Sequence, residues 1–319
     1  MFDTLRGMQI RRGVSSLPIE DGPTVVTIGF FDGVHLGHRA VLGRTVEAAR
    51  ERSARAVAVT FDRHPREVLT PGHEPRLLTT VDRKAELIAA TGVDVLLILP
   101  FTKEFSRWPA EEFVHRVLAN GLHAAHVAVG GDFTFGHRAA GTLGTLHELG
   151  PGFGFTAQEV PPFLLDGRRV SSSSIREALA EGDLAWPERA LGRRYAVEGT
   201  VVGGAGRGHA LGFPTANLET SPRLLLPGTG IYAGRAGTGD GTYVAAVSVG
   251  TNPTFGVEPL HVEAFLLGFD DTDLRGGALS VEFWQRLRDE ERFGTTEELV
   301  RAMEEDVRRT RRIVPAVGG

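Results

Sequence analysis

The chain has no cysteine among its 319 residues. This absence excludes disulfide bonds, thiolate metal sites and cysteine nucleophiles, and it leaves the redox compartment open. Lysine is also scarce, because only Lys84 and Lys103 are present and arginine carries the rest of the positive charge. We interpret the shortage of lysine as a compositional bias with no function of its own.

Long apolar runs are missing as well. The longest, such as Val93–Leu99 with Asp94 inside it, are far shorter than the roughly 20 residues of a membrane-spanning helix. The N-terminus has no apolar stretch of signal-peptide length. A net charge of −5 gives no electrostatic reason to expect nucleic acid or an anionic membrane as a partner. We therefore expect a cytoplasmic enzyme, monomeric or weakly homo-oligomeric, that acts on small molecules.

Residues 24–186 alternate short apolar runs with amphipathic stretches, the pattern of strands alternating with helices. This repetition predicts an α/β domain with a parallel sheet covered on both faces, and ligands in such sheets bind beyond the carboxyl ends of the strands. Strands are predicted at Thr24–Phe31, Ala56–Phe61, Val93–Leu99 and His126–Val129, and helices at His38–Arg52, Asp82–Ala90 and from Pro109 to Asn120.

The pattern changes after Trp186-Pro187. Segments rich in Val, Tyr, Phe and Thr, separated by Gly and Asp, predict an antiparallel β-barrel or sandwich closed by a C-terminal helix that begins with a Thr295–Glu298 capping box. We therefore predict two domains, residues 1–186 and 187–319. The β segments are predicted at Tyr195–Val202, Ile231–Thr238, Thr242–Val249, His261–Phe269 and Ala278–Trp284.

The segment GFFDGVHLGH, residues 29–38, places two histidines, His35 and His38, where a strand ends and a helix begins. A helix N-terminus offers unpaired N–H groups and partial positive charge to phosphates, and histidines add further donors. A zinc site would need a third ligand, and the HExxH spacing is absent. A capping turn without a catalytic role is the remaining alternative.

Neither a Walker A sequence nor GxGxxG occurs in the chain. The glycine-rich stretch at Gly203–Gly208 is followed by Gly212-Phe213-Pro214 in place of a helix, so P-loop and dinucleotide-binding interpretations both fail there.

The N-terminal motif resembles the adenylyltransferase signature of the bacterial bifunctional riboflavin kinase/FAD synthetases, which belong to the HxGH nucleotidylyltransferases with a Rossmann-like fold. Three later segments resemble that family in the same order: FDRHP at 61–65, VGGDFTFG at 129–136 and VSSSSIR at 170–176. The resemblance implies that His35 and His38 bind the ATP phosphates and steady the departing pyrophosphate. It implies further phosphate or ATP contacts from Gly29, Phe30, Asp32, Gly37, Ser172, Ser173 and Arg176.

The same resemblance implies flavin contacts from Asp132, Phe133 and Phe135. Asp132 departs from the family pattern, since asparagine is usual at that position. A carboxylate beside an anionic flavin phosphate is repulsive unless a cation intervenes. The phosphate of FMN is itself the nucleophile, so the chain's part is alignment, charge stabilisation and placement of Mg²⁺.

The C-terminal half resembles the riboflavin kinase signature, in which a glycine-rich loop leads into PTAN, here residues 214–217. That family is a six-stranded antiparallel barrel. The resemblance implies phosphate contacts from Gly204, Gly206 and Gly208, Mg²⁺ ligands in Thr215 and Asn217, and flavin contacts from Phe213 and Arg288. It also implies that Glu263 is the base for the riboflavin hydroxyl, and strand alternation predicts that Glu263 shares a face with His261 and Phe265.

The resemblance covers about residues 20–313 and implies two successive ATP-dependent reactions, riboflavin to FMN and FMN to FAD. Two alternatives stay open. In one, only the kinase half is active, because the departures from the family pattern touch more contact positions in the N-terminal half. They are Arg63, Asp132 and Ser174 in that half, and Gly268 and Arg275 in the C-terminal half. In the other, the protein binds flavin as a regulator and catalyses neither reaction.

Overall fold

The computed structural model of the chain describes residues 3–19, 22–203, 211–251, 260–269 and 273–316. The chain divides into two compact units, Met1–Ser172 and Ser173–Gly319. The strands of the first unit are β1 Asp3–Leu5, β2 Met8–Arg12, β3 Thr24–Ile28, β4 Arg55–Phe61, β5 Val95–Leu99, β6 Ala124–Gly130, β7 Thr156–Val160, β8 Leu164–Leu165 and β9 Arg168–Arg169. Its helices are α1 Leu36–Glu51, α2 Pro65–Leu69, α3 Val81–Ala89, α4 Ala110–Phe113 and α5 Leu143–Phe153, with short 3₁₀ turns at Val14–Ser16, Phe105–Arg107 and His137–Ala139.

The first unit is built on a seven-stranded sheet in the order β1-β2-β5-β4-β3-β6-β7. All neighbours pair in parallel except the β1–β2 hairpin at one edge, which is antiparallel. The predicted parallel sheet is therefore confirmed. The chain moves from β3 outward to β4 and β5 and then returns to β6 on the other side of β3. This reversal makes a topological switch point between β3 and β6, the place where ligands bind in such sheets.

Helices cover both faces of this sheet, as the nearly continuous apolar strands predict. Alternate residues of one strand serve opposite faces: Val26 packs toward α4 and α5, whereas Val25 packs toward α1 and α3. Both are fully buried. Truncating one such aliphatic side chain would cost about 1–3 kcal/mol, so the two cores hold the sheet edge in a defined position.

Two features of the first unit differ from the sequence-based expectation. The helix predicted from Pro109 to Asn120 is α-helical only over Ala110–Phe113 and continues as a π-helix over Val114–Ala119. Helix α5 was not predicted, because it contains Gly150-Pro151-Gly152, yet Thr142 and Thr145 form a capping box at its start.

The second unit contains a closed barrel in the order β10-β11-β14-β13-β12-β15, with every described pair antiparallel. The predicted barrel is confirmed, and the sandwich alternative is wrong. Strand β11 was missed, because its sequence ANLET has no aromatic residue and only one β-branched residue, Thr220. The elements are α6 Ser172–Ala180, α7 Ala185–Leu191, β10 Ala196–Val202, β11 Ala216–Thr220, β12 Gly230–Gly237, β13 Thr242–Gly250, β14 His261–Leu266, β15 Ala278–Arg288 and α8 Thr296–Ile313.

Side chains alternate between the inside and the outside of the barrel. In β14, Val262, Ala264 and Leu266 are buried in the interior, and His261, Glu263 and Phe265 are half-buried on the outer face. The C-terminal helix α8 begins with the predicted Thr295–Glu298 capping box and packs against β12, β13 and β15. Part of the barrel's outer face therefore lies under a helix.

Helices α6 and α7 belong mainly to the second unit. The amide of Gly228 donates to the carbonyl of Leu179 on α6, and Gly182 lies against the side chains of Arg286 and Tyr232. The division of the chain thus falls at Ser172 and Ser173. The domain boundary predicted at 186/187 stays a prediction.

Candidate active sites in the two units

The loop after β3 carries the first group of candidate residues at the switch point of the sheet. The loops after β4 and β6, which carry the other predicted motifs, leave the same edge because parallel strands share their carboxyl ends. Phe31 and Val34 both have positive φ angles, 53° and 40°. Such backbone is strained for a β-branched residue, and strain of this kind concentrates at functional sites. A Cβ on Gly29 would lie 2.8 Å from the Phe31 ring, so glycine is required there.

His35 and His38 meet at the N-terminus of α1. Nδ1 of His35 accepts a hydrogen bond from the backbone N–H of His38 at 3.2 Å, which makes His35 the cap of the helix. The two rings stack with centroids 3.6 Å apart, and His38 also contacts Phe31 edge-on. In the neutral tautomer that this bond requires, Nε2 of His35 carries the proton and is a donor. Capping and phosphate binding are therefore compatible, since they use different nitrogens.

Gly37 leaves space beside the His35 ring. A Cβ at Gly37 would lie 3.1 Å from that ring and 3.5 Å from the carbonyl oxygen of Val170. Any larger residue would press on the imidazole, so the glycine between the histidines keeps this face of the loop open.

Asp32 anchors the loop from within. Its carboxylate is 3% exposed and accepts hydrogen bonds from the amides of Leu78 and Thr79, and its backbone carbonyl accepts one from Ser172 Oγ at 2.9 Å. Asp32 and Ser172 thus have protein partners in this structure, and their implied phosphate contacts stay predictions. Ser173 is exposed and Arg176 half-buried on α6, within the second compact unit.

A cavity of about 600 Å³ opens beside the loops after β4, β5 and β6. Seven Phe and Trp side chains line it, and the predicted flavin residues Phe133 and Phe135 stack within it with centroids 5.4 Å apart. Phe105 and Trp108 add further rings at 5.0 Å from each other. Largely apolar cavities of this volume with a polar rim are typical of ligand sites, and flat aromatic ligands fit such walls.

Asp132 is paired with a cation. Its carboxylate accepts a hydrogen bond from Arg169 at 2.5 Å, and both side chains are more than half exposed. Arg169 lies on β9 and was not singled out from the sequence, because its partner is 37 residues away along the chain. The only available signal was the pair Arg168-Arg169 just before the serine-rich motif.

The second group of candidate residues lies on the outer face of the barrel. Asn217 on β11 stands directly opposite Glu263 on β14, and Ser248 on β13 stands opposite Glu263 on its other side. Thr215 Oγ1 donates to the Glu263 carboxylate at 3.3 Å. His261 Nε2 lies 3.4 Å from the other carboxylate oxygen. Strand pairing thus brings together the predicted residues Thr215, Asn217 and Glu263.

Thr215, Ser248 and Glu263 line a cavity of about 650 Å³ between the barrel and α8. Phe213 and Phe265 meet edge-on in its wall at 5.3 Å, and one face of α8 closes it with Leu299, Met303 and Val307. A cavity with apolar walls and a polar row at one side can hold a ring system and direct its polar tail toward Glu263.

Arg288, predicted to contact flavin, lines the same cavity but is bound to the helix. Its guanidinium donates to both carboxylate oxygens of Asp306 on α8, at 2.7 and 3.1 Å, and Asp306 is 5% exposed. This bidentate pair joins β15 to the helix that forms one wall of the cavity. A flavin contact by Arg288 stays a prediction.

Glu290 is a residue that the sequence did not single out. Its carboxylate lies so close to Gly250 that a Cβ there could not be accommodated. Burial raises the pKa of Glu290, the neighbouring Glu263 raises it further, and His261 and Arg288 oppose the shift. Glu290 thus lines the same cavity as Glu263, together with the carboxylate residues Glu291 and Asp306.

The predicted phosphate-binding glycines Gly204, Gly206 and Gly208 lie outside the described residues. A Mg²⁺ ion would find a hydroxyl oxygen at Thr215 and an amide oxygen at Asn217 beside the Glu263 carboxylate. These donors fit a hard cation that keeps much of its water and binds phosphate. Within the described ranges, no group of three or more His, Cys, Asp or Glu side chains could hold a metal by itself.

Comparison with known proteins assigns both units. The FAD synthetase family model matches residues 17–174, and the riboflavin kinase model matches residues 191–314. The bifunctional riboflavin kinase/FMN adenylyltransferase of Pseudomonas fluorescens is 39% identical over 301 residues, covering 94% of this chain and 96% of that protein. The protein of the same name from Listeria monocytogenes is 34% identical, covering 90% and 91%. The chain belongs to the bifunctional riboflavin kinase/FMN adenylyltransferase family.

The family assignment confirms the resemblance found in the sequence. A solved structure from Streptococcus pneumoniae, named as a macrolide-efflux protein, shares this fold with a TM-score of 0.84 and 28% identity, covering 95% of this chain and 98% of that one. In the portion of this family member that the structure describes, no helix has the length and apolar character to cross a membrane.

Proposed function

We propose that this member of the family catalyses both reactions of its two domains with ATP as the donor: riboflavin is phosphorylated to FMN in the second unit, and FMN is adenylated to FAD in the first. The observation that carries the proposal is that each unit has its own cavity of about 600–650 Å³, lined by Phe133 and Phe135 in the first unit and by Thr215 and Glu263 in the second.

In the kinase half, Glu263 accepts the proton of the riboflavin 5′-hydroxyl as its oxygen bonds to the γ-phosphorus of ATP, and ADP leaves. Its carboxylate is half-buried on the outer barrel face beside the cavity, which is where a base for a bound hydroxyl is needed. Thr215 orients this carboxylate through its hydroxyl. Thr215 and Asn217 would hold Mg²⁺, which when bound neutralises charge on the ATP phosphates. Phe213 and the apolar face of α8 would hold the flavin ring.

In the adenylyltransferase half, an FMN phosphate oxygen bonds to the α-phosphorus of ATP, and pyrophosphate leaves. His35 donates from Nε2 and His38 from its imidazole to the phosphates, at a helix N-terminus that favours negative charge. Gly29, Phe30 and Gly37 shape this loop, and Ser173 and Arg176 would add phosphate contacts. Phe133 and Phe135 stack on the flavin ring, and Arg169 offsets the charge of Asp132.

One assay tests the proposal. The purified chain is incubated with riboflavin, ATP and Mg²⁺, and riboflavin, FMN and FAD are separated by chromatography. We expect FAD to accumulate by way of FMN. FMN alone would support a chain in which only the kinase half is active, and neither product would support a flavin-binding regulator. The cytoplasmic location and the monomeric or weakly associated state stay predictions.

A further inference from the structure

Lys84 is a buried cation that the proposed chemistry does not use. It lies on α3 and is 2% exposed. Its ammonium donates to the backbone carbonyls of Phe30 at 3.0 Å and Phe61 at 3.3 Å, and to the hydroxyl of Thr60 at 3.2 Å. A buried ammonium costs free energy unless its donors are satisfied, and here each of its three donors has an oxygen partner.

These partners lie where two strands separate. The pairing of β3 with β4 ends at Ile28 and Val59, and one last backbone bond runs from the amide of Gly29 to the carbonyl of Val59. The Thr60 hydroxyl then donates to the Phe30 carbonyl at 3.1 Å, so Lys84 binds an already bonded pair of oxygens. Beyond it the two chains continue into the loops that carry the GFFDGVHLGH and FDRHP motifs. Just past this point the Lys84 ammonium binds the backbone of both segments, at Phe30 and Phe61. It therefore links the first residues of the two motif loops.

The ammonium also makes a cation–π contact with an aromatic ring. Lys84 Nζ lies 4.2 Å from the centroid of Phe30, and the same ring contacts His64 edge-on at 4.8 Å. A cation over a ring face is held by about 0.5–2 kcal/mol, depending on how dry the site is. Phe30 belongs to the first motif and His64 to the second, so one buried charge fixes the spacing between them.

The choice of lysine at this position indicates that the site requires an ammonium group. The chain has 35 lysines and arginines together, of which only two are lysines, and one of the two occupies this buried position. A guanidinium is planar and has five donors, so it does not fit a pocket with three acceptors around one point. Burial lowers the pKa of Lys84 to about 8, and the carboxylates of Asp32 and Asp62 oppose that shift. The interpretation of lysine scarcity as functionless therefore does not extend to Lys84.

We infer that Lys84 is a positioning residue of the adenylyltransferase half, which holds the loops after β3 and β4 at the separation that ATP and FMN need. The inference rests on the proposed function, because it assigns a part in FAD formation to a residue that touches neither substrate. Displacing a reacting group by about 1 Å can lower a rate about 10²-fold, so two loops released from their common anchor should lose activity on that scale.

The test uses the full chain, whose kinase half serves as an internal control for expression and concentration. Lys84→Met removes the charge and donors but keeps an unbranched side chain. Arg83→Met, at a half-buried position on the same helix where the guanidinium pairs with Glu86, is the matched control. We expect Lys84→Met to lower kcat for FAD formation from FMN about 10²-fold with KM values for FMN and ATP within about twofold. FMN formation from riboflavin should not change, and Arg83→Met should resemble the wild type in both reactions.

A second readout separates positioning by the charge from a general structural role. In the wild type, kcat for FAD formation should fall as pH rises past about 8, because the neutral amine has two N–H donors for three oxygens. The charged or titratable groups nearest to it are Asp32, Asp62 and, through Phe30, His64. Lys84→Met should lack this alkaline limb.

Each outcome decides the inference. Unchanged kcat in Lys84→Met would overturn it while leaving the proposed function intact, whereas no FAD from the wild type would overturn the proposed function itself. If Lys84→Met does not fold, the pH profiles of the wild type and Arg83→Met decide, and a rate that stays level between about pH 7 and pH 9 overturns the inference.

Discussion

The two units place their functional side chains by different means. In the second unit, Asn217, Glu263 and Ser248 stand in a row because three strands pair in one register. In the first unit, His35 and His38 stand where a loop leads into α1, and the loop is held by Asp32, Lys84 and two residues with positive φ. The difference teaches that a strand face positions residues through the ladder itself, whereas a loop needs anchors elsewhere in the fold.

The largest expected effect tests the strand-face site. Glu263→Gln removes the proposed base without changing side-chain size, so FMN formation should fall about 10³-fold. FAD formation from supplied FMN should be unchanged, since Glu263 belongs to the second unit. Separate assays of the two reactions measure this, with Glu219→Gln on the exposed side of β11 as control. Normal phosphorylation of riboflavin by Glu263→Gln would remove this residue from the mechanism.

The next effect tests the loop site. His38→Ala removes a donor to the ATP phosphates, and loss of such a donor lowers kcat about 10²–10³-fold. FAD formation should fall by this factor while FMN accumulates from riboflavin. His147→Ala, an exposed substitution on α5, should change neither reaction. Equal loss of both products in His38→Ala would show that the two halves do not work separately.

A third prediction concerns the junction of the barrel with α8. Asp306→Ala leaves the Arg288 guanidinium without its buried partner, which should lower the free energy of unfolding of the second unit by about 3 kcal/mol. Because α8 forms one wall of the cavity, KM for riboflavin should also rise. Denaturant unfolding and kinase assays measure both effects. FAD formation from FMN should be maintained, and a loss there would contradict the separation of the sites.

The smallest effect concerns the Asp132–Arg169 pair. Asp132→Asn restores the residue usual in the family and releases Arg169 to meet the FMN phosphate. Both side chains are largely exposed, so the gain in binding free energy for FMN should stay below about 1 kcal/mol. KM for FMN should then fall by at most about fivefold. Steady-state kinetics at low and high salt check this, since salt should weaken the gain. A higher KM would mean that the carboxylate itself contributes to FMN binding.

Much of the fold could be predicted from local patterns. The strands β4, β5 and β6 and helices α1 and α3 differ from their predicted bounds by one or two residues, because apolar runs and helical periodicity are local signals. Strand β3 ends at Ile28 and not at Phe31, since the positive φ of Phe31 turns the chain away. Strand β11 was missed for lack of a local signal, although it carries Asn217.

The site was predictable only in part for the same reason. The alternation of β14 was sufficient to place Glu263 with His261 and Phe265 on one face. It could not show that Thr215, 48 residues earlier, donates to that carboxylate, since this follows from the pairing of β11 with β14. The sequence likewise could not predict that Arg169 pairs with Asp132 or that Asp306 pairs with Arg288.

By itself, the sequence determined the family, the order of the two units and the residue types of each motif, because each motif occupies a continuous stretch of sequence. Only the tertiary structure decided that one of two lysines would be buried beside the GFFDGVHLGH and FDRHP motifs and that α8 would cover the barrel face bearing Glu263. The physical reason is that such contacts depend on strand register and helix packing, which join residues far apart in the chain and leave no local pattern.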